Sequence, residues 1–181
     1  SRHVEHFDIA EARDAAPLFA AILADLSGWR ERTGARRVDS IFFGGGTPSL
    51  MTGEQVAGVI GHVDRLWGLK PGAEITLEAN PDDASRFAEF AAAGVDRLSL
   101  GLQSLEDERL RFLGRTHSAH EGLKALEAAR GLFRSISIDL IYAQPDQGAS
   151  AWRSELTRAL ALGADHLSLY ELTIEPGAAF A

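Results

Sequence analysis

The stretch Ser135-Ile136-Ser137-Ile138-Asp139-Leu140-Ile141-Tyr142 decides the fold. It is short and rich in β-branched residues, and its part SIDLIY, like SIFFGG earlier in the chain, is a nearly continuous apolar run, the pattern of a strand in a parallel sheet that helices cover. Runs of the same kind lie at residues 38–43, 74–79, 97–102 and 166–172. The stretches between them carry helical periodicity. Residues 10–32 place Leu18, Ile22, Leu23, Leu26 and Trp29 on one face at three- and four-residue steps. Thr52 is an N-cap with Gln55 as its capping-box partner. Residues 83–93 form a helix stopped by Gly94. Residues 105–113 and 119–132 make a helical pair, and Ser150 opens a last helix through Leu162, stopped by Gly163. Alternation of this kind means parallel strands joined by right-handed crossovers. A doubly wound open sheet and a barrel share the pattern. The barrel is favoured because polar residues recur at strand ends rather than at one switch point.

Composition narrows the class. The 181 residues are 45% hydrophobic with a net charge of -8, which suits one globular core and argues against nucleic acid, whose phosphates need clustered cations. No apolar run approaches the length of a membrane span, and no signal peptide is visible. The absence of cysteine excludes disulfides, a thiolate nucleophile and cysteine-held metal within these residues, and fits a reducing cytoplasm. No linker interrupts the chain, so residues 1–181 read as one domain. Five strands do not close a barrel, and the chain reads as a piece of a longer protein.

Candidate chemistry sits where strands end. Gly44-Gly45-Gly46-Thr47-Pro48-Ser49 follows the first run; its exposed N–H groups suit a carboxylate or phosphate, and a plain tight turn is the alternative. Glu78, in LEANPDD, shares a face with Thr76 and Glu74 and suits an ammonium or ribose hydroxyl, or else caps a turn. Gln103 ends SLGLQS, and Arg115, twelve residues on, suits a carboxylate, unless it is a solvated charge. Asp139, inside an apolar strand, is costly unless paired or functional. Thr173, after Tyr170-Glu171-Leu172, is placed to face the same mouth. An ordinary barrel enzyme using Schiff-base chemistry would want a barrel lysine, but Lys70 and Lys124 fall on a loop and a helix. A non-catalytic binding module also stays open.

Taken together, GGGTPS, LEANP, GLQS, LGRTHS, IDLIYAQP and LSLYELTIEPG, in this order and spacing, resemble the radical S-adenosylmethionine family. Within it they resemble the branch of oxygen-independent coproporphyrinogen III oxidase and the heme chaperones, with RLSLGLQS, LGRTHS and SLYELTIEPG nearer the chaperones. The resemblance implies a partial parallel (β/α)6 barrel, of which these runs are strands two to six. It implies that Gly45, Gly46, Thr47, Glu78, Gln103, Arg115, Asp139 and Thr173 bind S-adenosylmethionine. It also implies a [4Fe–4S] cluster on a CxxxCxxC loop. That loop and the first strand are expected upstream of Ser1, and the family's C-terminal region downstream, so this piece alone is expected to be inactive. The intact relative reductively cleaves S-adenosylmethionine to a radical, which the oxidase uses to decarboxylate porphyrinogen propionates. The chaperone binds heme and passes it to acceptor proteins. Of the six histidines, His3, His6, His62, His117, His120 and His166, none is marked out as a heme ligand, and His117 is expected to make a loop hydrogen bond.

Overall fold

The computed structural model describes residues 16–174. In chain order the elements are α1 (Ala16–Thr33), β1 (Val38–Phe43), α2 (Gly53–Trp67), β2 (Leu69–Ala79), α3 (Phe87–Ala92), β3 (Arg97–Gln103), α4 (Asp107–Phe112), α5 (Ala119–Arg130), β4 (Ser135–Tyr142), α6 (Ala149–Ala161) and β5 (His166–Glu171), with 3-10 turns at Pro48–Leu50 and Pro81–Arg86. The strands form one parallel sheet in the order β1-β2-β3-β4-β5, a partial barrel that curls with each strand beside its successor. The part of the first expected helix at residues 10–15 lies outside the described residues, as do His3 and His6.

The two faces of the sheet differ sharply. Phe43, Leu77, Leu98, Leu100, Ile138 and Leu140 point to the helices and are buried, joined there by Val56, Phe90 and Leu126. Phe87 packs edge-on against Phe133 with ring centroids 6.0 Å apart. The alternate positions, Thr76, Glu78, Ser99, Ser137 and Asp139, line the concave side. Polar pairs cross it: Ser99 Oγ donates to Asp139, and Ser137 Oγ meets Ser168 Oγ at 3.2 Å and His166 Nδ1 at 3.1 Å. Arg97, at the start of β3, donates from Nη1 to Thr76 Oγ1 and pairs with Glu74, at the end of the sheet away from the strand-end loops.

Capping explains several helix starts. Thr52 accepts from Gln55 N while the Gln55 side chain accepts from Thr52 N, and Ser118 with Glu121 does the same for α5. Three boundaries depart from the sequence reading. Residues 83–93 split into a 3-10 turn and the six-residue α3, because Pro81 and the Asn80–Asp83 side-chain turn organise the entry. Residues 105–113 give only the short α4. Strand β2 begins at Leu69, five residues earlier than its apolar run, so Lys70 lies on a strand, paired with Asp39 at 2.5 Å, rather than on a loop. There the ladder jumps from Val38↔Leu69 to Ser40↔Glu74, because Pro71 offers no N–H and Gly72 takes a positive φ.

Candidate functional site

At the C-terminal ends of the strands lies an open cavity of about 410 Å³. Gly46 and Thr47 come from the loop after β1, Glu78 from β2, Gln103 from β3, Arg115 from the segment between α4 and α5, and Asp139 from β4. Gly45 adjoins it, donating its N–H to Glu78 Oε2 at 3.2 Å. Glu78 and Asp139 thus project into one space. Thr173 is exposed, lies beyond the end of β5 and is not among the lining residues; Tyr170 reaches the cavity from that strand instead. A strand ending at Glu171 sends Tyr170 to the concave face and leaves Thr173 in the following segment.

The glycine loop is held from below. Ser49 Oγ donates to Asp83 Oδ2 at 2.7 Å, and Arg86 donates to the carbonyls of Ser49 and Met51. The 3-10 turn after β2 therefore fixes the loop after β1. Gly45 and Gly46 have φ of 78 and 55°, and a Cβ on either would meet no heavy atom within 4 Å. Their strain-free left-handed backbone leaves an open cradle facing solvent.

Gln103 was legible as a polar strand end, but its backbone was not. Its φ is 64°, and Ser104 N donates to Leu102 O at 2.8 Å, a γ-turn of the rarer hand that costs a non-glycine residue on the order of 1–3 kcal/mol. Such strain persists where the surroundings impose it. The Gln103 amide lies over Gly101, 2.7 Å from where a Cβ there would stand.

The charges are tuned by burial. Burial pushes the Asp139 carboxyl above the ordinary carboxylate range; hydroxyls of Ser168 and Ser99 pull it back, Glu78 adds to the rise and Arg97 opposes it. Arg115 donates to Asn80 Oδ1 at 3.3 Å, and burial lowers its pKa against the pull of Asp82. It is the only lysine or arginine lining the cavity among the described residues. Ser99, Asn80 and Tyr170 also line it and were missed by the sequence reading. Ser99 was detectable, since it alternates with Arg97 and Gly101 on the cavity side of its strand. His117, in the segment between α4 and α5, is buried with Nε2 3.3 Å from Leu102 O of β3. His62, His120 and His166 also lie off the cavity.

Backbone N–H groups, two carboxylates, one guanidinium and two amides thus converge at the mouth of a parallel half-barrel, an arrangement complementary to a small zwitterion bearing hydroxyls. The radical SAM superfamily model matches residues 29–153, and the chain belongs to that superfamily. It is 46% identical over 167 residues to the radical S-adenosyl methionine domain-containing protein 1, mitochondrial, of Bos taurus, covering 91% of this chain and 38% of that one. It is 38% identical to the heme chaperone HemW of Haemophilus influenzae, covering 99% of this chain and 48% of that protein. Among solved structures, coproporphyrinogen III oxidase (HemN) from Escherichia coli superposes with a TM-score of 0.78 at 27% identity, over 90% of this chain and 38% of that one. The chain spans less than half the length of these relatives.

Proposed function

We propose that the intact protein is a radical S-adenosylmethionine protein of heme metabolism, of the heme-chaperone type, and that this chain supplies its S-adenosylmethionine site. The observation that carries the reading is the set of complementary groups in the strand-end cavity, on a chain 38% identical to a heme chaperone along nearly its whole length. The N–H groups of Gly45, Gly46 and Thr47 bind the carboxylate, with Arg115 adding charge-assisted donors. Glu78 gives up its contact with Gly45 and accepts the ammonium. Asp139 and Gln103 hold ribose hydroxyls, and Tyr170 with Ile141 offers flat apolar surface beside them.

When bound beside a reduced iron–sulfur cluster, S-adenosylmethionine supplies one-electron chemistry. The residues of this chain do not fit the cluster itself. There is no cysteine, and among the described residues no three His, Asp or Glu side chains converge as metal ligands. Cluster ligation thus falls to residues outside this chain. For heme, none of the four described histidines lines the cavity, so the cavity itself offers no imidazole to an iron. Heme, heme-accepting proteins and a cytoplasmic location belong to this proposal; among the described residues no helix is long and apolar enough to cross a membrane.

Coproporphyrinogen III oxidation is the second reading, favoured by the superposition on that enzyme. Its substrate, with four propionates, wants several cations, whereas Arg115 stands alone at this mouth among the described residues. The test is to reconstitute the full-length protein with its cluster and supply coproporphyrinogen III, S-adenosylmethionine and a reductant without oxygen. Protoporphyrinogen at a catalytic rate would overturn the chaperone reading, and a heme Soret band without turnover is the expected result.

A further inference from the structure

Glu155 lies outside the cavity, on α6, yet it is only 3% exposed. A buried carboxylate is costly without partners, and this one has three. Its Oε1 accepts from Ser104 Oγ at 2.5 Å and from Leu105 N at 2.7 Å, in the segment that leaves β3. Its Oε2 accepts from Gln147 Nε2 at 3.1 Å, in the segment that leaves β4. The Gln147 Oε1 in turn accepts from Gln144 N. One carboxylate therefore ties together the loops that follow Gln103 and Asp139.

The tie begins one residue past the strained turn. Gln103 holds its positive φ while Ser104 N folds back on Leu102 O, and Ser104 Oγ also accepts from Glu106 N. Without an anchor on Ser104 and Leu105, the turn can relax to an extended path and carry the Gln103 amide off Gly101. We propose that Glu155 is a positioning residue for the ligand site: it holds Gln103 in its left-handed conformation and fixes the β3 and β4 loops relative to each other. The inference rests on the reading of the cavity as an S-adenosylmethionine site.

The hydrogen-bond polarity supplies a test. In Glu155→Gln, the amide oxygen still accepts from Ser104 and Leu105, but its NH2 faces the NH2 of Gln147. Adding Gln147→Glu restores every bond with the roles exchanged, since the new carboxylate accepts both from the amide introduced at position 155 and from Gln144 N. The full-length protein is titrated with S-adenosylmethionine by calorimetry, well below the thermal midpoint of each variant. There, a purely structural role lowers the midpoint and leaves Kd unchanged. Expected is a loss of about tenfold in affinity for Glu155→Ala, a smaller loss for Glu155→Gln alone, and recovery in the exchanged pair. In a Gln103→Ala background, Glu155→Ala should cause a smaller further loss, because one of the groups through which it acts is gone. A wild-type Kd in folded Glu155→Ala, no recovery in the exchanged pair, or equal losses with and without Gln103 would each overturn the proposal. If Glu155→Ala does not fold, the Gln147 exchange decides alone. If the wild type itself does not bind S-adenosylmethionine, the site reading falls, and this inference with it.

Discussion

Replacing Gly45 by valine separates the strain of the glycine loop from its use. Gly45 holds φ 78° and a Cβ there meets nothing within 4 Å, so no clash contributes and the cost is conformational. An L-residue in that region loses about 1–2 kcal/mol, and β-branched valine sits at the upper end. The same substitution at Gly163, with φ 68° and equally open space, carries the same strain at the far end of the crossover from β4 to β5. Both variants of the full-length protein should therefore lose about 2 kcal/mol in urea unfolding followed by circular dichroism. Only Gly45→Val should lose ligand. Displacing one charge-assisted N–H from a carboxylate costs about 1.5–3 kcal/mol, roughly tenfold to a hundredfold in Kd for S-adenosylmethionine. A Gly45→Val protein binding within about twofold of wild type would refute the assignment of this loop to the ligand. Equal losses of affinity at Gly45 and Gly163 would show that the effect is not local to the loop.

Further outcomes follow from single side chains. Asp139 has its pKa raised by burial from an ordinary 3.8, so its protonated form is the one folding favours. That contribution is complete below the ordinary value and is lost as pH rises through the raised one. Thermal midpoints should therefore show wild type losing ground to Asp139→Asn as pH climbs from about 4 towards neutrality; parallel profiles would contradict the burial argument. Arg115→Lys keeps the charge but loses the bidentate fork, so affinity should fall for S-adenosylmethionine and not for its decarboxylated analogue; equal losses would place Arg115 elsewhere on the ligand. Phe87, fully buried against Phe133, should cost about 3–5 kcal/mol when cut to alanine, and a loss below about 1 kcal/mol in urea would mean the pocket recloses.

Strand positions were legible because the helix-facing residues are apolar at period two, as in Leu98, Leu100 and Leu102. Glu78, Asp139 and Gln103 were legible as cavity-lining positions because a polar residue at the end of such a run has few structural excuses. The start of β2 was hidden: Lys70-Pro71-Gly72 carries turn chemistry, and only pairing with β1 makes it a strand. Tyr170 and Thr173 were confused because the choice depends on where β5 ends, a boundary set by the Leu172 N–H to Tyr142 O bond rather than by local sequence. Glu155 carried no signal at all. On a helix it reads as one more surface acid, and its burial depends on the segment of Ser104 and Leu105, which lies far away in sequence.

Because the greasy side of the sheet meets the helices and the wet side meets the cavity, two kinds of selection act on alternate letters of the same strand. Drift at Leu98, Leu100 or Ile138 is policed by folding, whatever the protein binds. Drift at Ser99, Glu78 or Asp139 is policed by whatever occupies the cavity, since no apolar packing depends on those side chains. Such a half-barrel can change clientele by editing every second residue, and its descendants need share little sequence to keep the same shape.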